Sequence, residues 1–458
     1  MFSTEDSIVA VATPPGRGGI GVVRISGPAS REIAGLILDR GEPLEARRAT
    51  LTRVRASDPE RPQERLDEVV ATYFPAPHSY TGEHVVEISA HGSPVVLQAI
   101  VGTAIDAGAR LAEPGEFTLR AFLHGKLDLI QAEAVADLIA AATPLQARVA
   151  FDQLEGTLTR RIAAIDAELF DLIARLEASL DFPDEGYHFI EPAETARRVG
   201  DVAARLEQLL ASARCGRMIR EGATVVVAGR PNVGKSSIFN MLAGSDRAIV
   251  TAIAGTTRDL VSDQVNIDGL AVTLVDTAGW RDTLDLIERE GVARGERARA
   301  AANLLVLVLD RSEPIKVEDR QLIAQTEGQP RIVVANKSDR PAAFDAAKDA
   351  IGAEDVISVS AITGAGADEL RRGIVRELTG SESLRDTAAL SNVRHIALIE
   401  HARTSLVSAE QAVGTGAMPE EFVLADLQAA RARLEEIVGV RASEDLLQHI
   451  FETFCIGK

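Results

Sequence analysis

Cysteine is scarce in this sequence, which contains only Cys215 and Cys455 among its 458 residues. Two cysteines exclude a disulfide framework and indicate a reducing compartment. Long apolar runs are also missing, because strings such as NLLVLVLD have the length of a strand and are too short to span a membrane. The first residues, MFSTEDSIVAVATPPG, carry acids where a signal peptide needs Lys or Arg. We therefore expect a cytoplasmic protein with no stable membrane association.

Positive charge is in deficit, since 49 Lys and Arg residues face 68 Asp and Glu residues and the net charge is −19. This balance argues against a broad nucleic-acid-binding surface. If the protein works on RNA, a local patch or a partner must supply the positive field. Hydrophobic residues make up 46% of the chain, which is typical of a globular protein. The length predicts two to four domains.

The pattern of apolar residues changes along the chain. Residues 1–120 have short apolar runs broken by Gly and Pro, which predict strands and turns with a helix or two. Two later stretches have apolar residues at helical spacing, and each predicts a helix with one buried face. The first stripe, expected on one long helix that ends at DFPDEGY, consists of Leu154, Leu158, Ile162, Ile165, Leu169, Leu172 and Leu176. The second consists of Val423, Leu427, Ala430, Leu434 and Ile437.

Each helical stretch shows only one apolar face, so we expect the two to pack together. The strand-rich segment from Thr224 to about Leu378 is then an insertion in a helical domain. The fold class expected is multidomain α+β and α/β, with a doubly wound sheet in the insertion. The predicted domains are 1–120, 121–220 (first helical part), 221–378 (inserted domain) and 379–458 (second helical part with the tail FCIGK).

The stretch GRPNVGKSS, Gly229 to Ser237, follows the apolar strand TVVVAG and opens a helix. The pattern G-x-x-x-x-G-K-[ST] in this context predicts a phosphate-binding P-loop. Its backbone N–H groups curl around the phosphates, and the start of the helix adds a favourable dipole. Lys235 is expected to contact the β- and γ-phosphates, and the Ser236 hydroxyl is expected to bind Mg²⁺.

Further stretches at strand ends favour a guanine nucleotide. GTTRD offers a Thr for Mg²⁺ and the γ-phosphate, DTAG offers an acid near the metal, and SVSA can brace the guanine oxygen. In NKSD, Asp339 can accept hydrogen bonds from the guanine N1–H and its exocyclic amine. The predicted nucleotide-site residues are Asn232, Val233, Gly234, Lys235, Ser236, Ser237, Thr251, Ala252, Ile253, Ala254, Gly255, Thr256, Thr257, Asp276, Thr277, Ala278, Gly279, Asn336, Lys337, Asp339, Ser358, Ser360 and Ala361.

The residue after DTAG is Trp280, where Ras-like GTPases have a Gln that orients water. The group that polarises water must therefore come from elsewhere, and Glu288 and Glu290 are candidates. The alternative is that both lie on a solvated helix face. Asn232 lies inside the P-loop, where its side-chain oxygen can hold a potassium ion that neutralises charge in the transition state. The alternative is that Asn232 only shapes the loop.

These motifs make the whole chain resemble the MnmE (TrmE) family of tRNA-modification GTPases. The resemblance rests on ATPPGRGGIGVVRISG, SYTGEHVVEISAHG, GEFTLRAFLHGKLDLIQAEAVADLI, LDFPDE, GRPNVGKSS, IAGTTRD, DTAG, NKSD and FCIGK. Many ribosome-assembly GTPases share the P-loop motifs, so the N-terminal block and the tail carry the specificity.

The resemblance implies an N-terminal folate-binding-like domain that dimerises, a helical domain and an inserted GTPase domain. It implies that two GTPase domains meet in the transition state with the help of potassium. By motif, the potassium ligands implied are Asn232, Thr251, Ile253 and Thr256. Ser236 and Thr257 are implied for Mg²⁺. Glu288 aligns with the water-positioning acid of the family.

The resemblance also implies a site for a tetrahydrofolate one-carbon derivative, 5-formyl or 5,10-methylene. The positions implied are Arg24, Glu87, Lys126 and Lys458. The three cations suit the folate carboxylates, and Glu87 suits the pterin N–H groups. Without the resemblance each residue would be read as a surface charge. The FCIGK tail is implied to fold back to this site, with Cys455 either a nucleophile near the one-carbon unit or a wall of the pocket.

The function implied is GTP hydrolysis coupled to tRNA modification. In that modification an aminomethyl or carboxymethylaminomethyl group is added to C5 of the wobble uridine of certain tRNAs. The partner implied is an MnmG (GidA)-type flavoprotein in a heterotetramer, with FAD on the partner only. GTP hydrolysis is expected to drive conformational gating. Two alternatives remain: a GTP-driven assembly or signalling factor without modification chemistry, and a stand-alone folate-dependent transferase with a regulatory GTPase domain.

Overall fold

The computed structural model describes residues 5–56, 65–181, 191–244, 262–276, 302–344, 356–380, 390–415 and 420–457. The chain forms two compact units. The first unit joins Met1–Ala136 to Glu435–Lys458, and the second comprises Asp137–Leu434. The two ends of the chain therefore share one unit.

The first unit is built on a six-stranded sheet. Its strands are β1 (Ile8–Val11), β2 (Gly18–Ser26), β3 (Thr50–Arg55), β4 (Arg65–Phe74), β5 (Val85–Gly92) and β6 (Arg110–Leu111). Their order in space is β3-β4-β5-β2-β1-β6, and the pairs are antiparallel except for the parallel pair β1–β6. The helices up to residue 140 are α1 (Ser30–Ile37), α2 (Pro94–Asp106), α3 (Glu116–Leu123) and α4 (Leu129–Ala140).

Side chains alternate between the two faces of this sheet, as the strand period of two requires. Val23 and Ile25 of β2 and Ile88 of β5 are fully buried in a core that also contains Ile100 of α2. The residues between them along the strands point to the opposite face. The predicted α+β fold of the N-terminal part is confirmed.

The second unit contains another six-stranded sheet. Its strands are β7 (Ala223–Ala228), β8 (Ser262–Ile267), β9 (Leu270–Asp276), β10 (Leu304–Asp310), β11 (Arg331–Asn336) and β12 (Val356–Ser358). The spatial order is β12-β11-β10-β7-β9-β8, and every pair is parallel except β8–β9. All residues of β10 are buried, which is typical of an interior strand of a parallel sheet. The predicted α/β sheet is confirmed.

Further helices precede and follow the strands of this sheet in the sequence. From residue 144 to 438 they are α5 (Pro144–Leu154), α6 (Thr157–Asp181), α7 (Pro192–Ala211), α8 (Ala213–Glu221), α9 (Lys235–Gly244), α10 (Val317–Gln325), α11 (Ala367–Thr379), α12 (Val393–Thr415) and α13 (Glu420–Val438). The last helix, α14 (Glu444–Glu452), belongs to the first unit.

The two apolar stripes are buried as expected, with one correction. The stripe from Leu158 to Leu176 is buried along α6, and the stripe from Val423 to Ile437 is buried along α13. Leu154 instead ends the separate helix α5, so the prediction of one helix through Leu154 is wrong. The break falls at Gly156, whose φ of 77° is left-handed and interrupts the helix.

Within the second unit, the helical stretches before and after the sheet contact each other. Arg431 of α13 donates from Nε to Asp166 of α6 at 3.0 Å. Arg403 of α12 pairs with Glu207 of α7 at 2.8 Å. The expected packing of the two helical stretches is confirmed, and the strands of the sheet lie between them in sequence.

Over the part of the chain that the structure describes, no helix combines the length and the apolar character needed to cross a membrane.

Candidate functional site

The P-loop lies between β7 and α9 in the second unit. Strand β7 pairs with β10 on one side and β9 on the other, so the loop leaves the middle of the sheet at its carboxyl edge. Gly229 has a φ of 156°, and a Cβ there would lie 2.5 Å from the carbonyl oxygen of Val308. Gly234 has a φ of 98°, and a Cβ would collide with the side-chain amide of Asn336. Both positions therefore require glycine.

The lysine and serine of the motif begin helix α9. Lys235 is buried, and its Nζ donates to the backbone carbonyl of Arg230 at 3.0 Å, which orients the ammonium group within the loop. The Ser236 hydroxyl donates to Oδ2 of Asp276 at 2.8 Å. Asp276 is buried at the end of β9, on the strand adjacent to β7. The predicted P-loop serine and the DTAG acid are therefore neighbours in space.

These two side chains fit a magnesium ion. Mg²⁺ prefers hard oxygen ligands and commonly takes one or two from the protein, with substrate phosphates and water as the others. A hydroxyl and a carboxylate 2.8 Å apart at a P-loop supply that donor set. A loaded site would exchange the hydrogen bond between Ser236 and Asp276 for bonds to the metal or to its water.

The NKSD motif connects the P-loop to the SVSA segment. Asn336 is buried at the end of β11, and its Nδ2 donates to the carbonyl of Val233 at 2.8 Å. Its Oδ1 accepts from the backbone N–H of Ala361 at 3.2 Å. One side chain thus fixes the distance between the phosphate end of the site and the expected guanine end.

At the guanine end, Asp339 and Ser360 meet. The Ser360 hydroxyl donates to Oδ1 of Asp339 at 2.6 Å. This hydrogen bond lowers the pKa of the Asp339 carboxyl below its ordinary value, so the group is an anionic acceptor at neutral pH. Asp339 is exposed and can therefore reach a base. Ser358, at the end of β12, is also exposed.

Lys337 holds the P-loop from the same motif. It has a left-handed φ of 66°, and its Nζ donates to the carbonyl of Asn232 at 3.0 Å and to Asp310. Burial alone would raise the pKa of Asp310, but hydrogen bonds from Lys337 and Ser312 lower it overall. Asp310 was not among the residues predicted from the sequence. Its position at the carboxyl end of the buried strand NLLVLVLD was the available signal.

The structure thus brings together the predicted residues Asn232, Val233, Gly234, Lys235, Ser236, Asp276, Asn336, Lys337, Asp339, Ser360 and Ala361. Ser237 is exposed on the first turn of α9. Outside the described residues lie Thr251, Ala252, Ile253, Ala254, Gly255, Thr256, Thr257, Thr277, Ala278, Gly279, Glu288, Glu290 and Lys458.

In the first unit, Arg24 and Glu87 are direct partners. They face each other across β2 and β5. Arg24 donates to Oε1 of Glu87 from Nε at 2.9 Å and from Nη2 at 2.8 Å. The guanidinium lies 5.1 Å from the ring centre of Tyr80 and 5.6 Å from that of Phe117. Aromatic faces stabilise a cation and also exclude water from it.

One nitrogen of Arg24 lacks a partner. Its Nη1 is buried and has no hydrogen-bond acceptor among the described residues. A buried, unsatisfied N–H group costs about 1–3 kcal/mol, and more when the group is charged. Such a group fits an incoming anion, so the Arg24 site can hold a carboxylate. Lys126 has a different hydrogen-bond partner, since its Nζ donates to the carbonyl of Pro77 at 3.2 Å.

The C-terminal tail lies against this unit. Ile456 forms an isolated antiparallel bridge with Pro114, and the backbone N–H of Gly115 donates to the carbonyl of Cys455 at 3.5 Å. Gly457 has a φ of 95° and approaches the carbonyl of Val11 so closely that no Cβ would fit. The thiol of Cys455 is exposed beside this contact.

Two family models match the chain. The model described as "MnmE helical domain" matches residues 129–455, and the model described as "GTP-binding protein TrmE N-terminus" matches residues 7–126. The first alone spans more than half of the chain.

The chain belongs to the MnmE family of tRNA modification GTPases.

Curated MnmE proteins resemble it over its full length. The tRNA modification GTPase MnmE of Koribacter versatilis (strain Ellin345) is 45% identical over 461 residues, which cover 100% of both chains. The MnmE protein of Lactiplantibacillus plantarum is 41% identical over 460 residues, which cover 99% of this chain and 98% of the relative. The predicted family and the predicted GTPase activity in tRNA modification are therefore confirmed.

Among solved structures, the G domain of the T. maritima FeoB iron transporter is 27% identical to this chain. It covers 34% of this chain and 98% of its own, with a TM-score of 0.27. That score is too low to add to the MnmE assignment.

Proposed function

We propose that this MnmE-family chain is a potassium-dependent GTPase that works with an FAD-carrying flavoprotein of the MnmG (GidA) type. Together the two proteins add an aminomethyl or carboxymethylaminomethyl group to C5 of the wobble uridine in certain tRNAs. A tetrahydrofolate derivative, in the 5-formyl or 5,10-methylene form, supplies the one-carbon unit. The proposed assembly is a homodimer that joins the partner in a heterotetramer, in the cytoplasm, with the domains bounded as the sequence predicts.

The observation that carries this proposal is the unsatisfied Nη1 of Arg24 beside Glu87. A GTPase that only switches an assembly step needs no largely buried cation with an unsatisfied donor atom far from its P-loop in sequence. Arg24 supplies a charged donor for a carboxylate, and Glu87 supplies acceptors for pterin N–H groups. Lys126 and Lys458 are proposed to meet the remaining carboxylate, and Cys455 is proposed to line the site or to act as its nucleophile.

At the nucleotide site, Ser236 and Thr257 are proposed to bind Mg²⁺, with Asp276 orienting Ser236. Asn232 is the proposed ligand of a monovalent cation, because it lies inside the P-loop with a side-chain oxygen and its backbone carbonyl is held by Lys337. Thr251, Ile253 and Thr256 are the other proposed potassium ligands. A bound potassium ion neutralises charge that develops during hydrolysis.

The two remaining proposed roles are orientation of the attacking water and conformational change of the protein. Glu288 is proposed to orient the attacking water in place of the Gln of Ras-like GTPases. GTP hydrolysis is proposed to drive opening and closing of the protein, because such motions can gate access to a second active site.

Nucleosides from tRNA test this function directly. We expect mass spectrometry of digested tRNA from a strain lacking the gene to show loss of a C5-aminomethyl-type uridine, and restoration of the gene to recover it. An unchanged nucleoside profile would reject the modification role and favour the assembly-factor alternative. Activity of the chain without any flavoprotein would favour the stand-alone transferase.

Potassium dependence gives a second expected result. GTP turnover is expected to be at least about tenfold slower in NaCl than in KCl at equal ionic strength, because sodium is too small to take the same oxygen ligands at the P-loop. Steady-state phosphate release measures both rates. Equal rates in the two salts would remove potassium from the mechanism.

The proposed folate site gives a third expected result. We expect Arg24→Met to weaken binding of 5-formyltetrahydrofolate by about 10- to 100-fold, the range for losing a charge-assisted hydrogen bond. Titration calorimetry measures the affinity, and GTP turnover is expected to stay unchanged. Arg53→Met, which removes an exposed pair with Glu68 on the edge strand β3, is the matched control. Equal affinity in all three proteins would place the folate elsewhere.

A further inference from the structure

Residues 310–319, which run from the last residue of β10 into the first turn of α10, contact the P-loop. We call them the support segment. Arg230, the residue after the first P-loop glycine, donates from Nη2 to Oε2 of Glu313 at 2.7 Å. It also donates from Nε to Oδ2 of Asp319 at 3.2 Å. The side chain of Arg230 therefore binds two acids of the support segment.

The pair formed by Arg230 and Asp319 is well shielded from water. The side chain of Arg230 is 12% exposed and that of Asp319 is 4% exposed. Asp319 also accepts from the backbone N–H of Lys316, so it caps the start of α10. Its Oδ1 is buried and has no hydrogen-bond partner among the described residues. A buried carboxylate of this kind depends on its cation, because an uncompensated buried charge is strongly unfavourable.

A second contact lies two residues further along the loop. Lys337 donates to the carbonyl of Asn232 at 3.0 Å and also binds Asp310, the first residue of the support segment. The backbone of Glu313 in turn donates to the carbonyl of Asp310 at 3.3 Å. The support segment therefore contacts the P-loop directly at Arg230 and, through Lys337, at Asn232.

Three consecutive residues connect these contacts to the chemistry. The carbonyl of Arg230 is the acceptor for Nζ of Lys235 at 3.0 Å. Pro231 follows with a fixed φ, and Asn232 then has a left-handed φ of 66°. A shift of the Arg230 backbone would move the carbonyl that orients Lys235. It would also change the direction in which Asn232 enters the site.

From this geometry we infer that Arg230 is a positioning residue for GTP hydrolysis. Held by Asp319 and Glu313, it fixes the P-loop conformation in which Lys235 meets the nucleotide and Asn232 meets the monovalent cation. The part that concerns the cation rests on the proposed function, whereas the part that concerns Lys235 does not.

The test compares Arg230→Met, Asp319→Asn, the double variant and Arg230→Lys in the full-length chain. Asparagine keeps the acceptor for Lys316 N–H and removes the charge, so α10 retains its cap. Arg320→Met is the control, because Arg320 is exposed on α10 and its side chain has no partner among the described residues. For each protein, kcat and KM for GTP are measured across KCl concentrations at constant ionic strength. Affinity for a fluorescent GDP analogue and the thermal unfolding temperature are measured in parallel.

For Arg230→Met we expect kcat to fall about tenfold and KM to change by less than about threefold, since a misplaced group costs more in the transition state than in binding. The potassium concentration for half-maximal activation is expected to rise about fivefold, as the cation site is loosened and not removed. Asp319→Asn is expected to have the same effects. The double variant is expected to be no worse than either single variant, because the two residues act as a pair. Arg230→Lys is expected to recover part of kcat.

The outcomes separate this inference from the proposed function. An Arg230→Met protein with unchanged kcat and unchanged potassium response would overturn the inference. So would a lower unfolding temperature accompanied by normal kcat in the folded fraction, since that result describes a purely structural pair. If the wild type hydrolyses GTP equally fast in sodium and potassium, the proposed potassium role fails. The inference is then decided by kcat alone, where a tenfold loss supports it and no loss overturns it.

Discussion

We expect the Asp339→Asn variant to lose turnover of GTP by at least about a hundredfold and to accept xanthosine triphosphate instead. A site built to receive two N–H groups rejects a base that it cannot satisfy by large factors. The Asp339 carboxylate is anionic and oriented by the Ser360 hydroxyl at 2.6 Å. Asparagine turns one acceptor into a donor, which suits the C2 carbonyl of xanthine and opposes the C2 amine of guanine.

Steady-state kcat/KM for both nucleotides measures this change of specificity. Asp368→Asn, an exposed acid in the first turn of α11, is the matched control and is expected to behave as the wild type. Restored turnover with xanthosine triphosphate shows that the variant is folded. A variant that still prefers GTP would mean that guanine is recognised elsewhere.

The second large effect is expected in the first unit, at Arg120. This side chain is 1% exposed and donates to Oδ1 of Asp6 at 2.6 Å, to Oε1 of Glu116 at 2.9 Å and to Oε1 of Glu83 at 3.1 Å. Arg120→Met leaves the buried carboxylate of Glu83 without its cation, whereas Asp6 and Glu116 keep their pairs with Arg110. Breaking a buried pair in this way costs about 3–5 kcal/mol. Hydrogen exchange in peptides of α3, read by mass spectrometry, reports the loss within the first unit.

Arg175→Met is the control for Arg120, because Arg175 pairs with Asp171 on an exposed helix surface at 3.0 Å. Such a pair contributes at most about 1 kcal/mol. If α3 exchanges hydrogen at the same rate in Arg120→Met as in the wild type, the expected role of Arg120 and its three acids is contradicted.

The same network predicts how stability depends on pH. Burial by itself raises the pKa of Glu116, but hydrogen bonds from Arg110 and Arg120 lower it overall below its ordinary value. A carboxyl group whose pKa is lower in the folded state stabilises the fold above its unfolded pKa of about 4. That contribution is lost as the pH falls through the folded pKa. Acid unfolding of the first unit is therefore expected to begin at higher pH in Arg120→Met than in the wild type.

Local patterns predicted that these residues of the candidate nucleotide site lie close together, because each motif there follows a strand. Lys235, Asp276 and Asn336 are brought together by the carboxyl edge of a single parallel sheet, which the sequence order of strands and motifs already implies. The partner of Arg230 was not predictable in this way. Asp319 lies 89 residues further along the chain, and only the fold makes them neighbours.

Two other features could not be predicted from the sequence, for physical reasons. The apolar stripe keeps its helical spacing through Gly156, so periodicity alone did not reveal the break between α5 and α6. Arg120 lies in the stretch FTLRAF, where an arginine is ordinarily expected on the surface. Its burial depends on Glu116, one turn earlier in α3, and on Asp6 and Glu83 from distant parts of the chain. The direct pairing of Arg24 with Glu87 likewise follows from strand register, which no local motif encodes.

The contact of the C-terminal tail with Pro114 and Gly115 has a consequence for synthesis of the protein on the ribosome. More than 300 residues separate the two sides of this contact, so closing it requires a loop that contains the whole second unit. During synthesis the N-terminal residues emerge first. Gly115 cannot be covered until Phe451 and Phe454 have been synthesised. The first unit is thus the first to be translated and the last to be completed.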